Sequence, residues 1–329
     1  MLDPDDPGSR RSLPLEPPAT SPSREVGTRR GAPLALGRIA ASWPWAVQRS
    51  KVVAAVSEPE VAVLLAAYDT QLRGQLADQL PEGVHGERDG PLLRLVGAKY
   101  GGFVDYRDLG GLEGAELDEL IARQVRVFAE RGDRFEWKLH AHDRPADLAQ
   151  RLRAAGFVPE AVETVMIAPV AGVAAEPCLP EGVRLREVSD RADLDRIAAL
   201  EQAIWRDDHG WLADSLEAER AVDPDALTVV VAEADDVVVC AAWVRFAHGT
   251  EFVTLWGGGT LPAWRSRGIY RAILAYRANL AMRRGFRYLQ VDASDGSRPI
   301  LERLGFVAVT TTTPFIWSPP TAVGDTGVR

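Results

Sequence analysis

The chain has 329 residues with 46% hydrophobic and 26% charged residues, which is ordinary for a globular protein with room for two cores. Its net charge of −9 argues against a protein built to wrap nucleic acid or to lie on an anionic membrane, and no apolar run approaches the ~20 residues that span a bilayer. Cys178 and Cys240 cannot form a disulfide framework, and no Cys/His spacing suggests zinc, so we expect a cytoplasmic protein without a metal.

The two ends of the chain do not have the composition of folded segments. Residues 1–50 are rich in proline, serine and arginine, and we predict a disordered extension there and a disordered tail over 319–329. A nucleic-acid-binding role for the basic N-terminal extension is a weaker alternative. Ser57 and Glu60 form a capping box, so folded sequence begins near them. We also hypothesise that 1–50 arises from a misassigned start codon, which an intact mass of the full-length native protein would refute.

The first predicted domain spans residues 51–172, and a proline-marked linker over 173–182 follows it. A loop is predicted at 81–91. The predicted elements in chain order are a helix at 57–80, strands at 92–97 and 103–109, a helix at 113–131, a strand at 134–141, a helix at 145–155 and a strand at 157–169.

The second predicted domain spans residues 183–318. Its predicted elements are a strand at 183–188, helices at 190–205 and 211–221, strands at 227–234, 237–247 and 250–256, a helix from 269, a strand at 287–293, a helix at 297–304 and a last strand at 306–317 that closes the sheet. Strands and helices mixed in this way indicate an α/β or α+β sheet fold.

The order of elements is repeated in the two halves. In the first half a helix ending at Gly132 is followed by a strand, a short helix, Gly156-Phe157 and a last strand; in the second the same series follows Gly285 and includes Gly305-Phe306. We interpret this as two copies of one fold, with an unrelated accessory domain as the alternative for the first half.

Residues 251–285 contain the clearest signal for a ligand. A strand leads into Gly257–Gly259, Pro262 ends its pairing, and a basic loop then opens an amphipathic helix. The first N–H groups of a helix lack intrahelical partners and attract anions such as phosphate. Gly268 leaves room for a phosphate to approach the backbone, and Arg265 and Arg267 add positive charge.

This segment resembles the cofactor motif of the GNAT superfamily of N-acetyltransferases, R/Q-x-x-G-x-G/A, which cradles the pyrophosphate of acetyl-CoA. Arg265 and Gly268 match the motif, whereas Tyr270 replaces its last small residue and crowds the helix start. In the family, the strand end before the proline binds the pantetheine arm through its backbone. The resemblance implies the following cofactor-binding residues: Thr260, Leu261, Arg265, Arg267, Gly268, Ile269, Tyr270, Ser294 and Asp295.

The resemblance also implies the fold, a mixed and mostly antiparallel sheet flanked by helices, here in two tandem copies. The first half lacks the arginine–glycine loop: Asp108–Glu113 stands in its place, and its acidic residues would repel a pyrophosphate. The first half is therefore similar to a degenerate GNAT domain that walls the acceptor cleft or mediates packing.

The acid and base of the family are not matched. Leu301 stands where the family has a tyrosine acid, and Trp256 and Gln290 stand where many members have a glutamate base. We name Glu251, Asp292 and Tyr270 as catalytic candidates. Glu201 and His209 are further weak ones.

The resemblance implies an acetyl-CoA-dependent N-acetyltransferase, acting on a primary amine of a small molecule or peptide by direct attack in a ternary complex. From the net charge we expect no nucleic-acid or membrane partner, and either a monomer or a homodimer is compatible with the sequence. The alternative is a CoA- or acyl-CoA-binding regulatory module with little turnover. Thiol release from acetyl-CoA with a panel of amines separates these two hypotheses.

Overall fold

A computed structural model of the protein describes residues 57–77 and 79–320. The predicted extension over 1–50 and residues 321–329 of the predicted tail lie outside the described residues.

The first half of the chain contains strands and helices in the predicted order, but its first helix ends at Gln71 and not at residue 80 as predicted. Its elements are α1 (Glu58–Gln71), β1 (His85–Asp89), β2 (Leu92–Val96), β3 (Gly102–Asp105), α2 (Gly114–Arg131), β4 (Phe135–His140), α3 (Leu148–Ala154), β5 (Val158–Pro159), β6 (Glu163–Pro169) and the single turn α4 (Val170–Val173). The capping box at Ser57 and Glu60 is present at the start of α1, and Gly132 ends α2 in the left-handed conformation.

The second half also follows the predicted order. Its elements are β7 (Val183–Val188), α5 (Arg191–Trp205), α6 (Leu212–Val222), β8 (Leu227–Ala234), β9 (Val237–Phe246), β10 (Phe252–Thr260), a 3₁₀ turn (Pro262–Trp264), α7 (Ile269–Arg283), β11 (Tyr288–Ala293), α8 (Arg298–Arg303) and β12 (Val307–Trp317). Asp190 caps α5 by accepting the N–H of Asp193.

All of these strands belong to one sheet, in which the two halves exchange their last strands. The strand order is β1-β2-β3-β4-β12-β6-β11-β10-β9-β8-β7, with β5 attached to β12. Parallel pairs β3–β4 and β10–β11 occupy equivalent places on either side of the centre. Beside β4 lies β12 of the other half, and beside β11 lies β6. The sheet is therefore mixed, mostly antiparallel and pseudosymmetric, as two tandem copies require.

Successive side chains of each strand point to opposite faces of the sheet, and the core clusters show which helices cover each face. Helices α2, α3, α4, α7 and α8 pack on one face, and α1, α5 and α6 pack on the other. The C-terminal strand contributes Phe315 and Trp317 to the core under α2 and α3, although they come from the second half of the chain. Side chains from the end of the second half thus form part of the core of the first half.

Two predicted features differ from the structure. The segment predicted as a loop over 81–91 contains β1, a polar edge strand whose sequence HGERD carries no apolar alternation. The strand predicted to close the sheet, now β12, lies at its centre between β4 and β6, because its partners come from the first half. The domain boundaries 51–172 and 183–318 stay a prediction.

Candidate active site

The arginine–glycine loop ends at the free start of helix α7. Within the described chain, no hydrogen bond uses the N–H groups of residues 268–271 as donors, and no side chain caps the helix. Gly268 has φ = 84°, a conformation that favours glycine, and a Cβ there would meet only the Cys178 carbonyl oxygen, at 3.9 Å. The helix end therefore presents unpaired donors and open space to an anion.

The two arginines of the loop are exposed and held in place by neighbouring groups. Arg265 Nε donates to the Thr260 carbonyl at 3.0 Å. The Arg267 guanidinium lies 4.7 Å from the centroid of the Trp264 ring. Neither arginine has an acidic partner among the described residues, so both charges are available to a phosphate.

Strand β10 separates from β11 just before this loop. The parallel register between them ends at Thr254 and Gln290, whereas β10 continues to Thr260. A bulge lies between Gly257 and Gly259 in the pairing with β9, and Gly257 and Gly258 both have positive φ. The result is a slot whose wall is the unpaired backbone edge of β10.

The resemblance also named Thr260, Leu261 and Ile269 on this side of the slot. They differ in which of their polar groups are free to contact a ligand. Leu261 donates its N–H to the Val239 carbonyl at 3.0 Å, so that group is already occupied. The Thr260 hydroxyl donates to Cys240 Sγ at 3.3 Å. The Ile269 side chain is 1% exposed and belongs to the core, so only its backbone can face a ligand.

Ser294 and Asp295 follow β11 across the slot and lie exposed at the start of α8. The Ser294 carbonyl accepts the N–H groups of Ser297 and Arg298 at 3.0 and 2.9 Å, so Ser294 has a capping role. The side chain of Asp295 makes no hydrogen bond to a described residue. Both lie at the carboxyl end of the strand that faces β10.

Tyr270 turns back onto the bulge of β10. A Cβ on Gly258 would lie 2.8 Å from Tyr270 Cε2, so the ring covers this glycine. Burial raises the pKa of the Tyr270 phenol above its ordinary value of 10.0. Its hydroxyl has no partner among the described residues, and it stays protonated at neutral pH.

A buried arginine lies on the same side of the bulge. Arg277 of α7 is 1% exposed and donates from Nη1 to the carbonyl oxygens of Trp243 and Trp256, at 3.1 and 3.0 Å. Its Nε has no hydrogen-bond partner, and burial lowers its pKa. The guanidinium thus fixes two carbonyls where the ladder between β9 and β10 is broken.

A buried carboxylate lies on the opposite side of the bulge. Glu201 of α5 is 3% exposed, and a Cβ on Gly259 would lie 3.0 Å from its Oε1. Trp205 Nε1 donates to Oε2 at 2.7 Å, while Oε1 has no hydrogen-bond partner among the residues that the structure describes. Burial raises the pKa of Glu201. His209, the other weak candidate, follows α5 in an exposed turn, where its Nδ1 lies 3.0 Å from the Asp207 carbonyl oxygen.

Glu251 lies far along the sheet from the loop. It precedes β10, at the amino end of the strand whose carboxyl end forms the slot. Its carboxylate is ion-paired with Arg287 and accepts from Gln71 Nε2 at 3.1 Å. These bonds lower its pKa, the Gln71 hydrogen bond first.

Asp292 lies on β11, but it faces the centre of the sheet. It is ion-paired with the largely buried Lys138 of β4 and accepts from Gln290 Nε2 at 2.8 Å. The structure therefore brings Tyr270 and Glu201 to the slot. Glu251 is ion-paired at the opposite end of β10, whereas Asp292 lies on the part of β11 that borders the slot and is ion-paired with Lys138.

The equivalent position in the first half is occupied by a charged network. Arg73 is 3% exposed and donates to Asp69 and Asp143, at 3.1 and 2.7 Å. A cleft of about 660 Å³ opens beside it, and its wall includes Asp108 and Glu113. The wall of this cleft also carries Arg107 and Arg144, so it has charges of both signs, in contrast to the loop before α7.

The sequence interpretation missed Arg277 and undervalued Glu201. Both occupy core positions of a helical stripe: Glu201 continues the series Leu194, Ile197 at the spacing i, i+3, i+7, and Arg277 lies four residues after Ile273. A charged residue within an apolar stripe is the signal that could have identified them.

The described residues also define what the fold does not contain. In residues 57–320, apart from residue 78, no group of three or more His, Cys, Asp or Glu side chains could hold a metal ion. No helix within the same residues is long and apolar enough to cross a membrane.

Residues 194–306 match the model of the acetyltransferase (GNAT) family. The fold is similar to a GCN5-related N-acetyltransferase from Kribbella flavida, with TM-score 0.55 and 18% identity over 79% of this chain and 94% of that one. A conserved protein of unknown function from Staphylococcus epidermidis gives TM-score 0.56 and 15% identity over 75% and 99% of the two chains. A search of curated proteins finds no match.

A tandem arrangement is also found among the similar structures. A tandem GNAT protein from the clavulanic acid biosynthesis pathway has TM-score 0.55 and 13% identity over 78% of this chain and 94% of that one. The expected fold class, and the resemblance inferred from the arginine–glycine loop, are confirmed. Residues 194–306 therefore match the GNAT acetyltransferase family, within a chain that has the fold of these structures.

Proposed function

We propose that the second half of the chain binds acetyl-CoA and transfers its acetyl group to a primary amine of a small molecule or peptide. The observation that carries this proposal is the free start of α7, where residues 268–271 offer unpaired N–H groups beside Arg265 and Arg267. The pyrophosphate would lie there, and the pantetheine arm would follow the unpaired edge of β10. Acetyl-CoA supplies an activated thioester; the chain supplies binding and proton transfer.

The slot between β10 and β11 supports direct attack in a ternary complex. Its wall is a row of backbone groups, which hold a thioester and polarise its carbonyl without reorganisation. Holding both substrates together lowers the barrier by about 7–11 kcal/mol at best. Tyr270, over Gly258, is the proposed acid for the leaving thiolate, because its phenol is protonated and unpartnered. Glu251 and Asp292 have no part in this proposal.

The acceptor would enter from the face that carries α1, α5 and α6. Trp256 is 46% exposed on this face, with the Arg245 guanidinium 4.6 Å from its ring centroid. The first half reaches the same region: the Tyr100 ring lies 5.4 Å from that of Trp211. We therefore propose that the first half, a degenerate GNAT-like domain within 51–172, walls the acceptor groove and does not bind acetyl-CoA itself.

A thermal-shift experiment tests the cofactor site with a matched pair of variants. Gly268→Glu places a carboxylate at the proposed phosphate site, whereas Gly285→Glu places one at the other end of the same helix. Both glycines have similar positive φ (84° and 82°) and open surroundings, so backbone strain is matched. At a free concentration of about 100 times its Kd, acetyl-CoA should stabilise the folded protein by about 2.7 kcal/mol. We expect this shift in the wild type and Gly285→Glu only; equal shifts in both variants would refute the site.

An acyl-CoA-binding module with little turnover is the second candidate. Leu301, at the position of the family's tyrosine acid, is fully buried in the core and cannot donate a proton. Thiol release with an amine panel distinguishes the two: binding without release above hydrolysis would favour the module.

A further inference from the structure

Two glutamates of the second half are equally buried but have different partners. Glu201 and Glu233 are each 3% exposed. Glu233 accepts from Arg186 Nη2 at 2.9 Å and lies 3.0 Å from Arg196 Nη2, and these arginines lower its pKa to about 2. Glu201 has no ion pair with a described residue, and its Oε1 has no hydrogen-bond partner. A buried carboxylate without a cation is costly to keep ionised.

The unpaired oxygen of Glu201 lies against the strand that forms the slot. Oε1 and Oε2 would be 3.0 and 3.3 Å from a Cβ on Gly259, so only glycine lets the carboxylate approach so closely. Gly259 lies beyond the last paired residue of β10 and β11. The carboxylate is therefore next to the backbone edge along which the pantetheine and its thioester are proposed to lie.

Few titratable groups face this carboxylate. Burial raises the pKa of Glu201. Two smaller effects lower this pKa: the hydrogen bond from Trp205 and the charge of His209, which lies in the turn after α5. Among the residues that the structure describes, the Cys240 thiol of β9 is a further titratable neighbour; burial raises its pKa to about 11, so it is neutral at physiological pH. Glu201 is thus poised to gain a proton more readily than an exposed glutamate.

We propose that Glu201 is the general base of acetyl transfer and takes the acceptor's proton through one water molecule, an inference that rests on the proposed function. The ammonium form of the acceptor loses one proton through that water to Glu201. The amine lone pair then forms the C–N bond at the thioester carbonyl, and the C–S bond breaks. The leaving thiolate takes a proton from the Tyr270 phenol, and the resulting phenolate takes the second amine proton. The products are an amide, free CoA thiol and one proton, which Glu201 returns to solvent.

The substitution Glu201→Gln separates a base from a structural residue. A base must be ionised, so kcat of the wild type should rise with pH through the pKa of Glu201. In Glu201→Gln we expect kcat to fall by about 10²–10⁴-fold and this acidic limb to vanish. The acetyl-CoA thermal shift should be unchanged, because the substitution leaves the α7 loop intact.

Stability gives an independent readout. A carboxyl whose pKa is raised by folding contributes stability that is fully present below its unfolded pKa and is lost as pH rises through its folded pKa. Glu201→Gln should therefore have a higher Tm than the wild type at pH 8, and the difference should shrink towards pH 4. The control Glu233→Gln, equally buried, should lower Tm and keep the acidic limb.

Trp205→Phe tests the pKa directly. Loss of the indole donor to Oε2 should move the acidic limb to higher pH while the plateau rate is retained. An unmoved limb, or a lower Tm of Glu201→Gln at pH 8, would overturn the inference. Retention of kcat by Glu201→Gln within about twofold would overturn it while leaving the proposed function intact. Absence of an acetyl-CoA shift in the wild type would overturn both.

Discussion

The Tyr270 ring covers Gly258 at the bulge of β10, in contact so close that a Cβ on the glycine would lie 2.8 Å from Cε2. This contact explains how the loop tolerates a tyrosine where the family motif has a small residue. The ring turns back onto the strand, and the N–H groups at the start of α7 stay unpaired.

Gly258→Ala should disturb this contact and the slot together. Gly258 has φ = 93°, so a side chain adds about 1–2 kcal/mol of backbone strain. Displacing Tyr270 adds about 1–3 kcal/mol. In a Tyr270→Ala background only the backbone strain should remain. Urea unfolding of the four proteins in this cycle measures the difference, and strict additivity of the two substitutions would contradict the contact.

Tyr270→Phe tests the proposed acid. Burial raises the pKa of Tyr270 above its ordinary value, so the wild-type phenol is protonated across neutral pH. We expect kcat to fall by about 10²-fold, with the acetyl-CoA affinity unchanged. Steady-state kinetics at pH 7.5 measures both.

Tyr276→Phe is the matched control, because Tyr276 lies on the same helix and donates to Glu187 Oε1 at 2.8 Å, away from the slot. Its kcat should equal that of the wild type. Full activity of Tyr270→Phe would show that the ring only packs on Gly258.

Asp292→Asn should change stability, not catalysis. The substitution leaves the ammonium of Lys138, which is 15% exposed, without its main carboxylate partner. Breaking one side of such a pair costs about 3–5 kcal/mol. Replacing both residues, as Lys138→Met with Asp292→Asn, should recover much of that loss. Urea unfolding gives the stabilities; a reduced kcat with unchanged stability would instead assign Asp292 to catalysis.

Local signals in the sequence were sufficient to predict most elements and the start of helix α7. The strand β8 has the predicted boundaries, 227–234, and α7 follows Gly268 as expected. These features depend on residues close in sequence: capping groups, β-branched runs and glycine at positive φ. The repeated order of elements in the two halves could be recognised for the same reason, because it too depends on residues close in sequence.

Long-range pairing could not be predicted in this way. β12 pairs with β4 through Thr312 and His140, residues far apart in the chain, and nothing in either strand specifies which half supplies its partner. The ion pairs of two catalytic candidates could not be predicted for a related reason. Glu251 and Asp292 were named from position along a strand, whereas their ion pairs with Arg287 and Lys138 depend on tertiary contacts.

The exchange of β6 and β12 predicts that the two halves unfold together. Phe315 comes from the last strand of the second half, is 1% exposed, and packs in the core of the first half. Phe315→Ala should therefore cost about 3–5 kcal/mol. Because β12 also pairs with β6, which pairs with β11, the loss should lower the Tm of both halves in one calorimetric transition. Val158→Ala, at a position of β5 that is 66% exposed, is the control and should leave Tm unchanged. Two separate transitions in the wild type, with only one of them shifted by Phe315→Ala, would show that the exchanged strands do not couple the halves.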